Sequence, residues 1–185
     1  LAYANNPVTY HGPLLGYGDG EVWKRSMMVG GDESQSDAHF REEALEYVGD
    51  NLDRLPVVIA ARHGRTWGLF RPTQQAELDQ DWGHSPWWTY RAGYVFDWIL
   101  VPFAVGGLVI LRRRRIPVVL LLAPLAVALA NVTVTYGQTR YRIPAELGLI
   151  VLAAAGLDAL ARTGPATVAL GRLRSSPRRS TAGSP

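Results

Sequence analysis

Three long apolar runs dominate the second half of the chain, at about residues 92–111, 116–135 and 143–161. The first two are each about 20 residues long, the length that an α-helix needs to cross about 30 Å of hydrocarbon. The third carries Glu146 and Asp158 near its ends, so the pattern leaves open whether it spans the bilayer or lies shallow. Buried helices of a soluble protein are the alternative. The pattern favours a mainly α integral membrane protein with about three transmembrane helices.

Residues 1–91 mix polar and apolar positions and predict a small cap with amphipathic helices. The stretch 34–37 resembles a capping box, and apolar residues then recur every three or four positions, which predicts a helix from about Asp37 to Asp53. Residues 57–71 combine small apolar residues with Arg and Trp, as in a helix or elbow lying in the membrane interface. The turn-rich residues 5–20 predict an irregular packed segment.

Arginine clusters orient the predicted helices. Residues 112–115 are four consecutive arginines, and the region 163–185 contains further arginines and no acidic residue. The positive-inside rule places both clusters in the cytoplasm, the second as a basic disordered tail. Residues 1–91 and the loop 135–144 then lie on the exoplasmic side of a multi-pass cell-membrane protein. An aromatic belt supports the outer boundary of the first span: Trp82, Trp87, Trp88, Tyr90 and Tyr94.

Composition excludes several kinds of site. The 185 residues include no cysteine, which rules out disulfides, cysteine-based zinc sites and thiol catalysis. The net charge of +3 is modest, and its basic clusters flank membrane segments, so no nucleic-acid partner is expected. No nucleotide-binding or catalytic-triad motif is present, and no cofactor is expected. The chain begins at Leu1 without a signal peptide, which suggests a C-terminal fragment or a late start.

Two acidic features admit more than one interpretation. The group Asp32, Glu33, Asp37 and His39 has ligand-type side chains, but their spacing matches no metal motif and helix starts favour acidic residues. No metal site is therefore expected. Asp97 lies about one turn inside the first span, where it either faces a polar cavity or reaches back to the interface.

Three stretches resemble a known enzyme family. They are "TYHGPLLGY", "REEALEYVGDNLDRLPVVIAARHGRTWGLFRP" and "YGQTRYRIPAELGLIVLAAAGL". Together they resemble the C-terminal part of actinobacterial membrane glycosyltransferases of family 39, the dolichyl-phosphate-mannose protein mannosyltransferase-like (ArnT-like) type with the GT-C fold. The resemblance implies transfer of a sugar from a polyprenyl-phosphate carrier on the outer membrane face to an acceptor that the sequence does not identify. The family's catalytic acid lies in a loop after its first span. The pair Asp32-Glu33 imitates that acid without a preceding span, so the catalytic residue is left unassigned.

The loop "TYGQTRYRIPAE" is the candidate carrier site. An extended chain would place Arg140 and Arg142 on one side, where an arginine fork binds a phosphate and stabilises charge on a leaving group. Anchoring to lipid headgroups is the alternative role for these arginines. A non-catalytic membrane protein with a partner- or lipid-binding exoplasmic region is the alternative function. The predicted lipid-phosphate site comprises Arg140, Arg142, Tyr136, Gln138 and Tyr141, joined by Arg62 and Arg65 from the interfacial segment.

Overall fold

The computed structural model describes residues 1–28, 32–83 and 85–163. The predicted tail lies outside these residues, apart from its first position. The described residues are mainly helical and contain no β-strand. Five helices form the cap: α1 (Pro7–His11), α2 (Gly20–Met28), α3 (Glu33–Asp50), α4 (Leu55–Thr66) and α5 (Pro72–Gly83). Three apolar helices follow: α6 (Trp87–Arg113), α7 (Val119–Val134) and α8 (Ile143–Thr163), with short 3-10 helices at Ala2–Ala4 and Thr139–Arg142.

Side-chain caps fix the starts of α1 and α3. The Asn6 side chain accepts hydrogen bonds from the backbone N–H groups of Val8 and Thr9, and Pro7 occupies the first turn of α1. Helix α3 begins earlier than predicted, because Asp32 rather than Ser34 caps it. Phe40 and Ala44 of α3 pack in the cap core, as the pattern predicted.

Helix α4 forms where an interfacial segment was expected, but its arginines do not reach towards headgroups. Arg62 and Arg65 are both fully buried inside the cap. The helix packs against α7 and the 3-10 helix Thr139–Arg142. It therefore joins the cap to the apolar helices.

Two of the three apolar helices are long and apolar enough to cross a bilayer. Helix α6 has 27 residues, and the segment Thr139–Arg162, which includes most of α8, has 24. Helix α7 has only 16 residues. The second apolar run thus forms the short helix, whereas the sequence pointed to the third run as the marginal one.

Close backbone contact joins α6 and α8, which run parallel. A Cβ atom added to Gly107 would overlap the carbonyl oxygen of Leu152, and one added to Gly156 would overlap that of Phe103. Ala104 and Ala153 are buried in the same interface. Small residues allow two helices to approach closely, which is typical of packing inside membranes.

Candidate functional site

The loop between α7 and α8 lies directly on the cap. The Gly137 N–H donates a hydrogen bond to the carbonyl oxygen of Gly16, at 2.8 Å. A Cβ atom on Gly137 would lie 2.8 Å from the Arg65 Cβ, so only glycine allows this approach. The Tyr136 ring packs edge-on against Tyr3 and Tyr17. The cap therefore fixes the position of the loop.

Arg140 and Arg142 point in different directions. The sequence predicted that an extended chain would put them on one side, but residues 139–142 form a 3-10 helix. Arg140 is exposed, whereas Arg142 is 4% exposed. The two arginines therefore do not form a fork on one surface.

Arg140 is the exposed cation of the loop. Its Nη2 donates a hydrogen bond to the Tyr136 hydroxyl at 2.9 Å, and its guanidinium lies 5.4 Å from the centroid of the Tyr141 ring. Within the described ranges, no acidic side chain forms an ion pair with Arg140. Its guanidinium is held in place by aromatic groups and keeps its charge uncompensated.

Arg142 is enclosed by acidic and aromatic groups. Its Nη1 lies 2.7 Å from Oδ2 of Asp97, and its Nε donates a hydrogen bond to Oε1 of Glu146 at 2.8 Å. The Tyr94 ring centroid lies 5.1 Å from the guanidinium. Asp97 is therefore a buried partner of Arg142, an arrangement that neither sequence interpretation included. Tyr94 is also buried, so it does not belong to the interfacial belt, although Trp87 and Trp88 are exposed as that belt requires.

The two buried arginines of the cap donate hydrogen bonds to uncharged oxygen atoms. Arg62 donates to the backbone carbonyls of Ala4 and Thr133 and to the Asn5 side chain. Burial lowers the pKa of Arg62. These contacts make Arg62 a link between the N-terminus, α4 and the end of α7, with its guanidinium directed away from solvent.

Arg65 begins a buried hydrogen-bonded chain. It donates to the Leu15 carbonyl at 2.6 Å and to Oε1 of Gln75 at 3.1 Å. Burial lowers its pKa to about 10. The Gln75 amide in turn donates to Oδ1 of Asp79 at 3.0 Å. A single glutamine therefore connects a buried guanidinium to a buried carboxylate.

Asp79 is a site residue that the sequence analysis missed. Its Oδ2 accepts hydrogen bonds from the hydroxyls of Thr139 and Tyr94, so it holds the start of the 3-10 helix against α5 and α6. Burial raises the pKa of this carboxyl, although the hydrogen bonds and the nearby Arg142 oppose the rise. No helix was predicted over residues 72–83, and the i, i+4 spacing of Gln75 and Asp79 was the available signal.

A cavity of about 290 Å³ opens beside Arg140. It lies where α5, the start of α6 and the 3-10 helix meet. The Oε1 atom of Gln138 has no hydrogen-bond partner although the residue is 5% exposed. Seven residues line the cavity: Asp79, Gly83, Tyr90, Gln138, Thr139, Arg140 and Ile143.

The structure thus gathers the predicted residues into three groups. Arg140, Tyr136 and Tyr141 form a surface group, with Gln138 beside it in the cavity wall. Arg142 belongs to the ion-pair group between α6 and α8, and Arg62 and Arg65 belong to the cap core. Among the described side chains, no group of three or more metal-ligand residues comes together.

Comparison of the chain with protein-family models, with curated protein sequences and with solved structures gives no match. The geometry of the site and the physical character of the helices therefore carry the functional argument.

Proposed function

We propose that this protein is embedded in the cell membrane and binds the phosphate of a lipid-linked sugar at the outer bilayer edge, with Arg140 as the phosphate-binding cation. The single observation that carries the proposal is the exposed Arg140 guanidinium, which is held by two tyrosines at the start of an apolar helix. In the cell, this site serves a polytopic glycosyltransferase that takes sugars from a polyprenyl-phosphate carrier.

Exposed apolar side chains support the membrane location. Large apolar residues remain exposed along all three apolar helices, among them Ile99, Val105, Leu120, Val127 and Ile150. Soluble proteins rarely leave apolar patches of this extent in water. Lipid tails cover such surfaces at no cost. The 27 residues of α6 extend about 40 Å, more than the hydrocarbon core requires.

Charge distribution supports the orientation. Arg112 and Arg113 end α6, and Arg114 and Arg115 follow it, at the end of the bundle remote from the cap. The positive-inside rule assigns that end to the cytoplasm. The cap and the loop with Arg140 then face outwards, together with the exposed Trp87 and Trp88 at the interface.

The chemistry of a lipid-phosphate donor fits an arginine at this position. When the bond between a sugar carbon and the phosphate oxygen breaks, negative charge grows on the departing phosphate. A guanidinium donates parallel hydrogen bonds to phosphate oxygens and stabilises that charge. Tyr136 and Tyr141 orient the Arg140 guanidinium and so lower the entropy that binding costs. Arg142, Arg62 and Arg65 support the site from within by fixing the loop.

A non-catalytic lipid-binding protein is the second candidate. The tyrosine-held Arg140 favours it equally, because headgroup binding needs the same exposed cation. Transfer activity separates the two candidates. If the full-length protein is a transferase, Arg140→Gln should lower transfer of a radiolabelled sugar from a polyprenyl-phosphate-linked sugar donor in membranes by about 100-fold. Undiminished transfer would exclude Arg140 from the reaction.

Binding tests the proposal directly. The chain reconstituted in lipid nanodiscs should bind farnesyl phosphate, and Arg140→Gln should weaken that binding at least about tenfold. Arg91→Gln is the matched control, because Arg91 is also exposed near the start of α6 and stacks on Trp87 but does not line the cavity. Equal losses in both variants would show general charge attraction to the bilayer instead of a site.

A further inference from the structure

An apolar groove of about 330 Å³ lies between α6 and α7, and it shares no lining residue with the cavity beside Arg140. The two helices each pack against α8 but make little direct contact with each other, so a gap remains between them. All ten lining residues are apolar: Val101, Ala104, Val105 and Leu108 of α6, three leucines of α7, two leucines of α8, and Trp67 of the cap. The groove therefore offers a ligand almost only van der Waals contacts.

The two ends of the groove differ in chemistry. Trp67 marks the cap end, because its carbonyl oxygen accepts a hydrogen bond from Trp98, which precedes Val101 by three positions on α6. At the other end, Leu108 lies one helical turn before Arg112, and residues four apart share a face of a helix. The groove therefore leads from the cap to the four consecutive arginines at residues 112–115.

The turn after α6 keeps these four cations together. The Ile116 N–H donates to the Leu111 carbonyl and the Arg115 N–H to the Arg112 carbonyl, with Arg115 at a φ of 58°, which is the pattern of a Schellman turn. All four arginines are exposed, and none of them takes part in an ion pair within the described ranges. Their positive charge is therefore available where the groove ends.

We propose that the groove and the four arginines form a binding site for an anionic phospholipid of the inner leaflet, with an acyl chain in the groove and the phosphate against Arg112 and its neighbours. Charge complementarity selects this occupant, because guanidinium groups bind phosphate oxygens in pairs of parallel hydrogen bonds. An apolar helix of a partner would fill the groove but leave the arginines unmatched, and the cationic group of a zwitterionic lipid would oppose them. The inference rests on the membrane location and orientation in the proposed function, but not on Arg140.

Native mass spectrometry of the full chain in detergent micelles tests this assignment. The probes are phosphatidylglycerol and phosphatidylcholine with identical acyl chains, supplied in equal amounts, and glycerol 3-phosphate, which carries the phosphate without the chains. We expect the wild type to retain phosphatidylglycerol at least about tenfold more than phosphatidylcholine, since each arginine beside an anionic headgroup favours binding by roughly fivefold. Glycerol 3-phosphate should not displace the bound lipid, because it cannot fill the groove.

Two matched pairs of variants assign the contacts. Arg112→Gln should lower the preference for phosphatidylglycerol about fivefold. Arg162→Gln, which removes one cation from the same end of the helices outside the groove, should keep it. Val105→Trp should remove most of the bound phosphatidylglycerol by filling the groove, and Leu125→Trp provides the same test from α7. Val109→Trp, at an exposed position of α6 one turn away and outside the groove, should keep the lipid.

Each part of the proposal can fail separately. Equal retention of the two phospholipids by the wild type would overturn the anionic site, and equal losses in Arg112→Gln and Arg162→Gln would overturn it in favour of general charge attraction. Unchanged retention in both tryptophan variants of the groove would overturn the groove as the place of the acyl chain. Displacement by glycerol 3-phosphate would overturn the lipid as the ligand. A dimer that forms without lipid and is lost in Val105→Trp would assign the groove to a second copy of the chain and overturn the lipid.

Thermal unfolding separates binding from folding. Phosphatidylglycerol should raise the unfolding temperature of the wild type and of Val109→Trp but not of Val105→Trp, because a ligand stabilises only the state that binds it. Arg112→Gln should bind farnesyl phosphate as the wild type does, since Arg112 lies at the opposite end of α6 from the cap. A wild type that prefers phosphatidylglycerol but does not bind farnesyl phosphate would support this site and overturn the proposed role of Arg140.

Discussion

The Nη1 atom of Arg142 lies 2.7 Å from Oδ2 of Asp97, and their side chains are 5% and 4% exposed. The two atoms form a close ion pair without the alignment of a hydrogen bond. The pair joins α6 to the start of α8, and Arg142 also contacts Glu146. A cation and a carboxylate that face each other between two apolar helices fix how those helices meet.

Breaking this pair should be costly. Asp97→Leu leaves the buried Arg142 with Glu146 alone, and removal of one partner of a buried ion pair costs about 3–5 kcal/mol. We expect a clear fall in the free energy of unfolding, measured by thermal denaturation in detergent. The double variant Asp97→Leu with Arg142→Met should recover much of the loss, because neither charge then remains buried without its partner.

Arg162 and Asp158 provide the matched control for that prediction. They form an i, i+4 ion pair on α8 with side chains that are 71% and 53% exposed. Arg162→Gln should change stability by less than about 1 kcal/mol. If Asp97→Leu has an effect as small as this control, the pair between α6 and α8 does not stabilise the fold.

Substitution of glycine by alanine should have different effects on stability at Gly107 and at Gly106. A Cβ atom at Gly107 would overlap the Leu152 backbone, so Gly107→Ala should separate α6 from α8 and cost about 1–3 kcal/mol. Gly106 has nothing within 4 Å of the same position, so Gly106→Ala should be neutral or stabilise α6 by up to about 1 kcal/mol. Unfolding temperatures of the two variants in detergent test the contrast. Similar temperatures would contradict the close contact of α6 and α8.

Helix positions were largely readable from the sequence because hydrophobic periodicity and length are local properties. The apolar runs predicted α6, α7 and α8, and the apolar repeat predicted a helix at about Asp37–Asp53, which overlaps most of α3. The start of α3 was misplaced, since either Asp32 or Ser34 is a suitable capping residue. The shortness of α7 was missed because hydropathy does not show where a helix unwinds.

The arrangement of the candidate site was harder to predict from the sequence. The directions of its side chains depend on the backbone conformation and on partners that are distant in the chain. Side chains two positions apart share a side in an extended chain, whereas in a 3-10 helix they point about 120° apart around the helix axis. That difference turns Arg142 inwards and leaves Arg140 outside. Asp79 meets Thr139 across 60 positions of the chain, and no local pattern predicts such a contact.

Asp79 should give stability a specific pH dependence. Burial raises its folded-state pKa above the ordinary value of 3.8. At pH values between 3.8 and the raised folded-state pKa, the folded state binds more protons than the unfolded state. The contribution of Asp79 to stability therefore falls as pH rises through that range. Asp79→Asn removes the titration, so the unfolding temperature of the wild type should fall relative to this variant as pH rises above about 4. Parallel profiles from pH 4 to 7 would contradict the raised pKa.

Cysteine labelling tests the membrane arrangement. Because the 185 residues include no cysteine, a thiol reagent can label only the cysteine that is introduced. Leu69→Cys places a thiol on the cap at a position that is 72% exposed, and Arg114→Cys places one at the opposite end of α6. In intact cells, a membrane-impermeant maleimide should label Leu69→Cys, and should label Arg114→Cys only after permeabilisation.

Val127→Cys is the decisive third variant. Val127 is 66% exposed in the middle of α7, but hydrocarbon excludes both the reagent and the thiolate that reacts with it. Labelling of Val127→Cys as fast as Leu69→Cys would show that the apolar helices face water, and labelling of Leu69→Cys only after permeabilisation would reverse the proposed orientation.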